Sequence, residues 1–214
     1  MPSHPNLKVD TATALAVALA VFRQRNNRVD RYTNGVNGNK EDIIDHFVNG
    51  SNLELDYEAA ELIKKTIDHR ITMNSISGKA TPDFVMNVFQ ILENKTIPIR
   101  LVGVLAWAPK LSADILKTDE DHSELFRVGV NSRHINPIGG RITTTFNLLK
   151  VRYLSTYDSY RYTGHDGHGN LITFFSKKKI EGCVTIYAKI KLHRKDPALN
   201  DSYITVLNYV KELK

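Results

Sequence analysis

Arg152, Tyr157, Tyr160, Arg161 and Tyr162 crowd into one short stretch, and Lys177, Lys178, Lys189, Lys191 and His193 follow it. Cationic side chains displace counterions from a phosphate backbone, and exposed aromatic rings stack on bases, at about 1–3 kcal/mol per base. Lys189, Lys191 and His193 alternate along a run expected to be extended, which would put them on one face roughly 6–7 Å apart. Such a ladder of like charges is unfavourable unless an anion or nearby carboxylates offset it. Tyr160 and Tyr162 should share a face for the same reason. Arg161 would then point the other way, leaving Arg152 as the cation nearer the two rings. The plainer reading makes the tyrosines half-buried strand residues and Lys177-Lys178-Lys179 a solvated turn.

Other chemistry finds weaker support. His165, Asp166 and His168 could ligate a metal, but Gly164-His165-Asp166-Gly167-His168-Gly169-Asn170 reads more simply as a hairpin turn rich in residues that tolerate positive φ. Asp119, Glu120, Asp121, Glu124 and His122 could suggest a nuclease metal site. A nuclease needs carboxylates converging from separate elements, whereas these sit in one polar segment. There is no phosphate-binding loop, Gly-x-Ser-x-Gly elbow, His-Glu-x-x-His motif or dinucleotide fingerprint. Catalysis has no positive signal, and neither a metal nor a cofactor is implied.

Charge is distributed unevenly. Residues 139–214 hold 13 Lys+Arg against 6 Asp+Glu, residues 1–98 hold 11 against 12, and residues 99–138 hold 5 against 5. The whole-chain surplus of +6 therefore belongs to the C-terminal third, where aromatics are interleaved with it. The single cysteine, Cys183, excludes an internal disulfide and fits a reducing compartment; in a strand-like run it is expected to be a small buried hydrophobe. Ala12–Phe22 is apolar apart from Thr13, but lacks a clear positive leader and is too short to span a bilayer, so a buried helix is expected. A soluble, cytoplasmic protein is expected (host cytoplasm if viral), without membrane contact.

Residues 10–95 read as helical. Asp10 or Thr11 caps a first helix, Lys40–Asn49 forms a second, and Asp56 caps a third carrying Ala59, Ala60, Ile63, Ile67 and Ile71 on one face. Thr81-Pro82 opens a fourth, with the Thr81 hydroxyl as cap. Ile99–Ala108, apolar except for Arg100 and followed by Pro109, suits a buried strand. Residues 110–125 suit a helix or ordered loop, and Phe126–Ile135 an extended segment. Five strands then follow: Arg141–Leu154, Tyr157–Thr163, Asn170–Phe175, Cys183–His193 and Tyr203–Val210. In the fourth, Val184, Ile186, Ala188, Ile190 and Leu192 should face inward. The expected fold is α+β: a helical region over residues 1–96, then a basic module over 97–214 folded as a five-stranded OB-like antiparallel β-barrel.

A set of short motifs carries a resemblance. They are Val128-Gly129-Val130 with Gly139-Gly140-Arg141, and Asp166-Gly167-His168-Gly169-Asn170 followed by Phe174-Phe175. Lys178-Lys179-Ile180-Glu181-Gly182, Ala188–His193 and Thr205–Lys211 complete them. Over about the last 90 residues the chain resembles phage-encoded DNA-metabolism proteins with a C-terminal OB-like module. It departs from them at Arg194–Asp201, where their pattern has a compact turn. The resemblance implies single-stranded nucleic-acid binding in replication, recombination or repair. With no catalytic signal among the residues, the expected function is non-catalytic binding of single-stranded DNA or RNA, accessory to replication or recombination, with the helical region contacting a replication or recombination protein or a second copy. A metal-dependent nuclease and a virion or adaptor protein are the alternatives.

Overall fold

A computed structural model describes residues 7–213, which divide into two compact units, one ending at Lys117 and the other beginning at Thr118. Residues 97–117, expected with the β module, thus belong to the helical unit.

In the first unit α1 (Thr11–Gln24) is buried along nearly its whole length, from Ala14 to Phe22. That is why its sequence is apolar on every side instead of striped. Its N-terminus is capped by Asp10, whose carboxylate accepts from the Thr13 amide at 2.8 Å and the Thr13 hydroxyl at 2.9 Å. α2 (Asn39–Asn49), α3 (Tyr57–Ile76, capped by Asp56) and α4 (Asp83–Leu92) supply Ile43, Ala60, Ile63, Ile67, Val88, Ile91 and Leu92 to the same core. Pro82 itself occupies the α4 cap position, one residue later than expected. A short ladder pairs β1 (Lys8–Asp10) with β2 (Thr96–Pro98). Two arginines at the C-terminal end of α1 are held in ion pairs. Arg23 pairs with Asp56 at 3.0 Å, and Arg25 bridges Asp42 at 2.5 Å and the Asn37 carbonyl at 2.7 Å.

The expected strand at Ile99–Ala108 is helical. A 3-10 turn (Ile99–Leu101) leads into α5 (Val102–Leu105), and α6 runs from Ala108 to Gly129. Pro109 opens α6 instead of closing a strand, because the first helical turn needs no amide hydrogen from it. Phe126–Gly129, expected extended, completes α6. The C-terminal unit buries Leu125, from the end of that helix, with Leu171, Leu199 and Ile204.

The five strands of the C-terminal unit close a barrel in the order β3-β4-β5-β7-β6. They are β3 (Arg141–Leu154), β4 (Ser159–His165), β5 (Leu171–Ser176), β6 (Cys183–Asp196) and β7 (Ser202–Leu213). Four pairings are antiparallel, but β5 and β7 run parallel, from Leu171↔Ile204 to Thr173↔Val206. That makes the barrel mixed: β6 crosses over to the far side of β7, so β7 returns beside β5 in the same direction. Phe146, Tyr162, Ile172, Phe174, Ile186, Ala188, Ile190 and Leu207 fill the interior. Gly164 lies on the inner side of β4, where a Cβ would collide with the Asn147 carbonyl and the Phe146 ring. β3 therefore wraps closely there.

Candidate nucleic-acid interface

The long strand β3 borders two neighbours in succession. Its first half pairs with β6 and its second half with β4. In the second half, Arg152 lies directly opposite Arg161 of β4, and Arg161 lies opposite Phe175 of β5. Tyr162 and Phe174 point into the core, so alternation turns Arg161 and Phe175 to the outer face. Phe175 is 53% exposed there. Arg161 is half-buried and its Nε donates to the Thr173 hydroxyl at 3.4 Å. Burial, and then the nearby Arg194 and Arg152, hold the Arg161 pKa below its ordinary value, while Asp196 acts in the opposite sense. Three guanidinium groups thus share one neighbourhood. Arg194 Nη2 lies 3.6 Å from Asp196 Oδ2, and Arg194 Nε is buried without a hydrogen-bond partner. Like charges directly opposite across strands are destabilising, so this arrangement suits an anion.

Flanking turns add further groups. Tyr157 is 72% exposed in the 3-10 turn Ser155–Tyr157 between β3 and β4. The next residue, Asp158, is left-handed and accepts from the Tyr153 hydroxyl at 2.8 Å. Lys177 and Lys178 are exposed in the β5–β6 turn, where Lys179 pairs with Glu181 at 2.5 Å.

Several expected positions lie elsewhere. Tyr162 is fully buried; its hydroxyl donates to the Lys178 carbonyl at 2.9 Å and accepts from the Ile180 amide at 3.1 Å. It is a core residue. Tyr160 shares its side, packing on the core with its ring 5.1 Å from Tyr153 and 6.1 Å from Tyr162. Neither ring reaches the outer face beside Arg161. Lys189, Lys191 and His193 do not form one ladder. Ile190 pairs with Leu207 and Leu192 with Val206, so Lys191 is an inserted residue that reverses the alternation beyond it. Lys189 and Lys191 stay exposed. His193, however, stacks on His134 at 4.2 Å and approaches the Ile135 carbonyl at 3.4 Å through Nε2. The same bulge takes Leu192 out of the inward series. Cys183, expected to be buried, is exposed.

The His165–Asn170 segment is a turn. Asp166, 2% exposed, accepts from the His168 and Asn170 amides at 2.8 Å each and from Asn170 Nδ2 at 2.9 Å. Its carboxylate is committed to donors of the turn itself. Among the described residues no three His, Cys, Asp or Glu side chains converge as metal ligands, and no helix is long and apolar enough to cross a membrane.

A second basic surface lies where β3 borders β6. Arg141 is directly opposite Lys189, whose other neighbour is Asn208 of β7, and Tyr187 is opposite Lys211. Arg141, Tyr187, Ala188, Lys189, Tyr209 and Lys211 line a depression of about 470 Å³. Phe175, Arg141, Tyr209 and Lys211 were not among the residues expected to bind. For Phe175 a signal was present: of two consecutive aromatics on a strand, one must face outward. For Tyr209 there was none, since its place depends on a bulge.

Comparison with protein-family models, with curated proteins and with solved structures finds no match for this chain.

Proposed function

We propose that the protein binds single-stranded nucleic acid, DNA or RNA, without catalysis, as an accessory to replication or recombination. The outer face of β4 and β5, with Arg152 of β3, is the central surface. The observation that carries this reading is Arg152 directly opposite Arg161, with Arg194 close by and exposed Phe175 alongside. The guanidinium groups would hold phosphates, and Phe175 and Tyr157 would offer stacking faces tolerant of base identity. In OB-type barrels the second and third strands and the adjoining loops are where oligonucleotides bind, and β4 and β5 hold those positions here. The helical unit would engage the protein partner. Leu62, Met73 and Ile76, all exposed, recur on one side of α3.

Fluorescence anisotropy with a labelled oligothymidylate at a series of salt concentrations tests the reading. Affinity should fall steeply with salt. Arg152→Ala or Arg161→Ala should flatten the log–log slope by about 0.7 for each phosphate that the variant no longer neutralises. Salt-independent or absent binding would overturn it.

A further inference from the structure

We infer that the outer face of β3, β6 and β7 holds a second site, built around Tyr209, which takes a single nucleotide unit: a base on the exposed ring, and its phosphate among Arg141, Lys189 and Lys211. Two unfavourable features coincide there. Tyr209 has φ +52°, and the other positive-φ non-glycine residues described are all Asn or Asp. A bulky side chain in the left-handed region is strained, which the surrounding structure must over-determine. The geometric cause is a bulge. Tyr187 pairs with Lys211 and Lys189 with Asn208, so β7 carries one residue more than β6 across this step. Leu207 and Val210, three apart, consequently both pack on the core, and Tyr209 is turned out to 77% exposure. A glycine would adopt this backbone without strain, yet the position carries a large ring aimed at solvent.

The second feature is the charge. Arg141 and Lys189 face each other directly across strands, Lys211 joins them, and among the described residues none of the three is in an ion pair. No residue lining the depression is acidic. A second copy of the chain docking through this face would set like charges together, which selects an anionic occupant. An anion alone would explain the cations and leave the strained ring without a purpose. A nucleotide, with an aromatic base beside its phosphate, matches both.

The inference goes beyond the single-strand reading, because a lone nucleotide would occupy the site with nothing on β4 and β5. The test is an amide-resolved NMR titration of the full chain with thymidine 5′-monophosphate, thymidine and inorganic phosphate. The monophosphate should shift Lys189, Tyr209 and Lys211 in a saturable way and more tightly than either fragment alone. Tyr209→Gly should melt at the same or a higher temperature, weaken the monophosphate at least about fivefold, and leave inorganic phosphate unchanged. Shifts confined to β4 and β5, equal binding of phosphate and monophosphate, or an unaffected Tyr209→Gly variant would each overturn the site. So would concentration-dependent shifts at Tyr209 in the free protein, which would assign this face to self-association. Oligothymidylate binding with no response at Tyr209 removes this site and keeps the single-strand reading. Monophosphate binding at Tyr209 without oligothymidylate binding does the reverse.

Discussion

Tyr162 and Phe175 show how one position along a strand separates packing from recognition of a partner. Tyr162 is enclosed, and its ring stacks on Phe174 at 5.2 Å with its hydroxyl doubly hydrogen-bonded. Replacing it with Phe keeps the ring but leaves the Ile180 amide without its acceptor, and the cost should be about 1–3 kcal/mol. Urea unfolding measures the loss, and the remaining folded protein should bind oligothymidylate as tightly as before. Phe175→Leu should do the opposite. It keeps apolar bulk on an exposed site, so stability should barely change while affinity drops by about 1–3 kcal/mol and the salt slope stays constant. An intact affinity would remove Phe175 from the interface.

Elements are held by a few local devices whose removal can be measured separately. The Asp10 cap is one. Its hydrogen bonds from Thr13 hold its carboxyl below the ordinary pKa, so the folded value lies under the unfolded one. The resulting stabilisation is present above the ordinary carboxylate pKa and is lost as the pH falls through the depressed value. Asp10→Ala should therefore cost about 1 kcal/mol at neutral pH. The gap to the unsubstituted protein should close in acid, as read by urea unfolding in both conditions. The β4–β5 turn is another device. Asp166→Ala strips an acceptor from three donors of one tight turn, and a loss of about 2–3 kcal/mol is expected from thermal melts. Addition of divalent metal should not alter the melting of the unsubstituted chain, since the carboxylate is engaged by the turn itself.

On the scale of the whole chain, the surplus of positive charge beyond residue 138 predicts where affinity resides. A fragment beginning at Ala108 keeps α6 entire, so the barrel retains Leu125 and Val128 against Leu171, Leu199 and Ile204. It should keep most of the affinity for single strands in anisotropy measurements. A fragment ending at Lys117, which keeps Ala108, Leu111 and Ile115 in the helical core, should bind little, and equal binding by that fragment would move the interface to the helical unit. Starting instead at Gly140 would expose the apolar cluster that Leu125 covers, and such a fragment should aggregate or melt early.

Local chemistry made much of this protein legible from sequence alone. The limits of β3 match the expected Arg141–Leu154, and the other barrel strands lie within a few residues of their expected spans. The helix caps at Asp10 and Asp56 also lie where the sequence places them. Period-two alternation, glycine-rich turns and short polar side chains at helix starts act over a few residues, so they can be read in order along the chain. What the tertiary structure decided depends on neighbours distant in sequence. An apolar run such as Ile99–Ala108 is compatible with helix or strand until its surroundings are known. The inserted residues at Lys191 and near Tyr209 are bulges only relative to the strand opposite. They broke the expected ladder of Lys189, Lys191 and His193, and brought Tyr209 out beside Arg141. Strand closure likewise put β7 parallel to β5 and enclosed Tyr162 while leaving Phe175 in solvent. Alternation divides a strand's residues between two faces, but only the closed barrel determines which face is the interior.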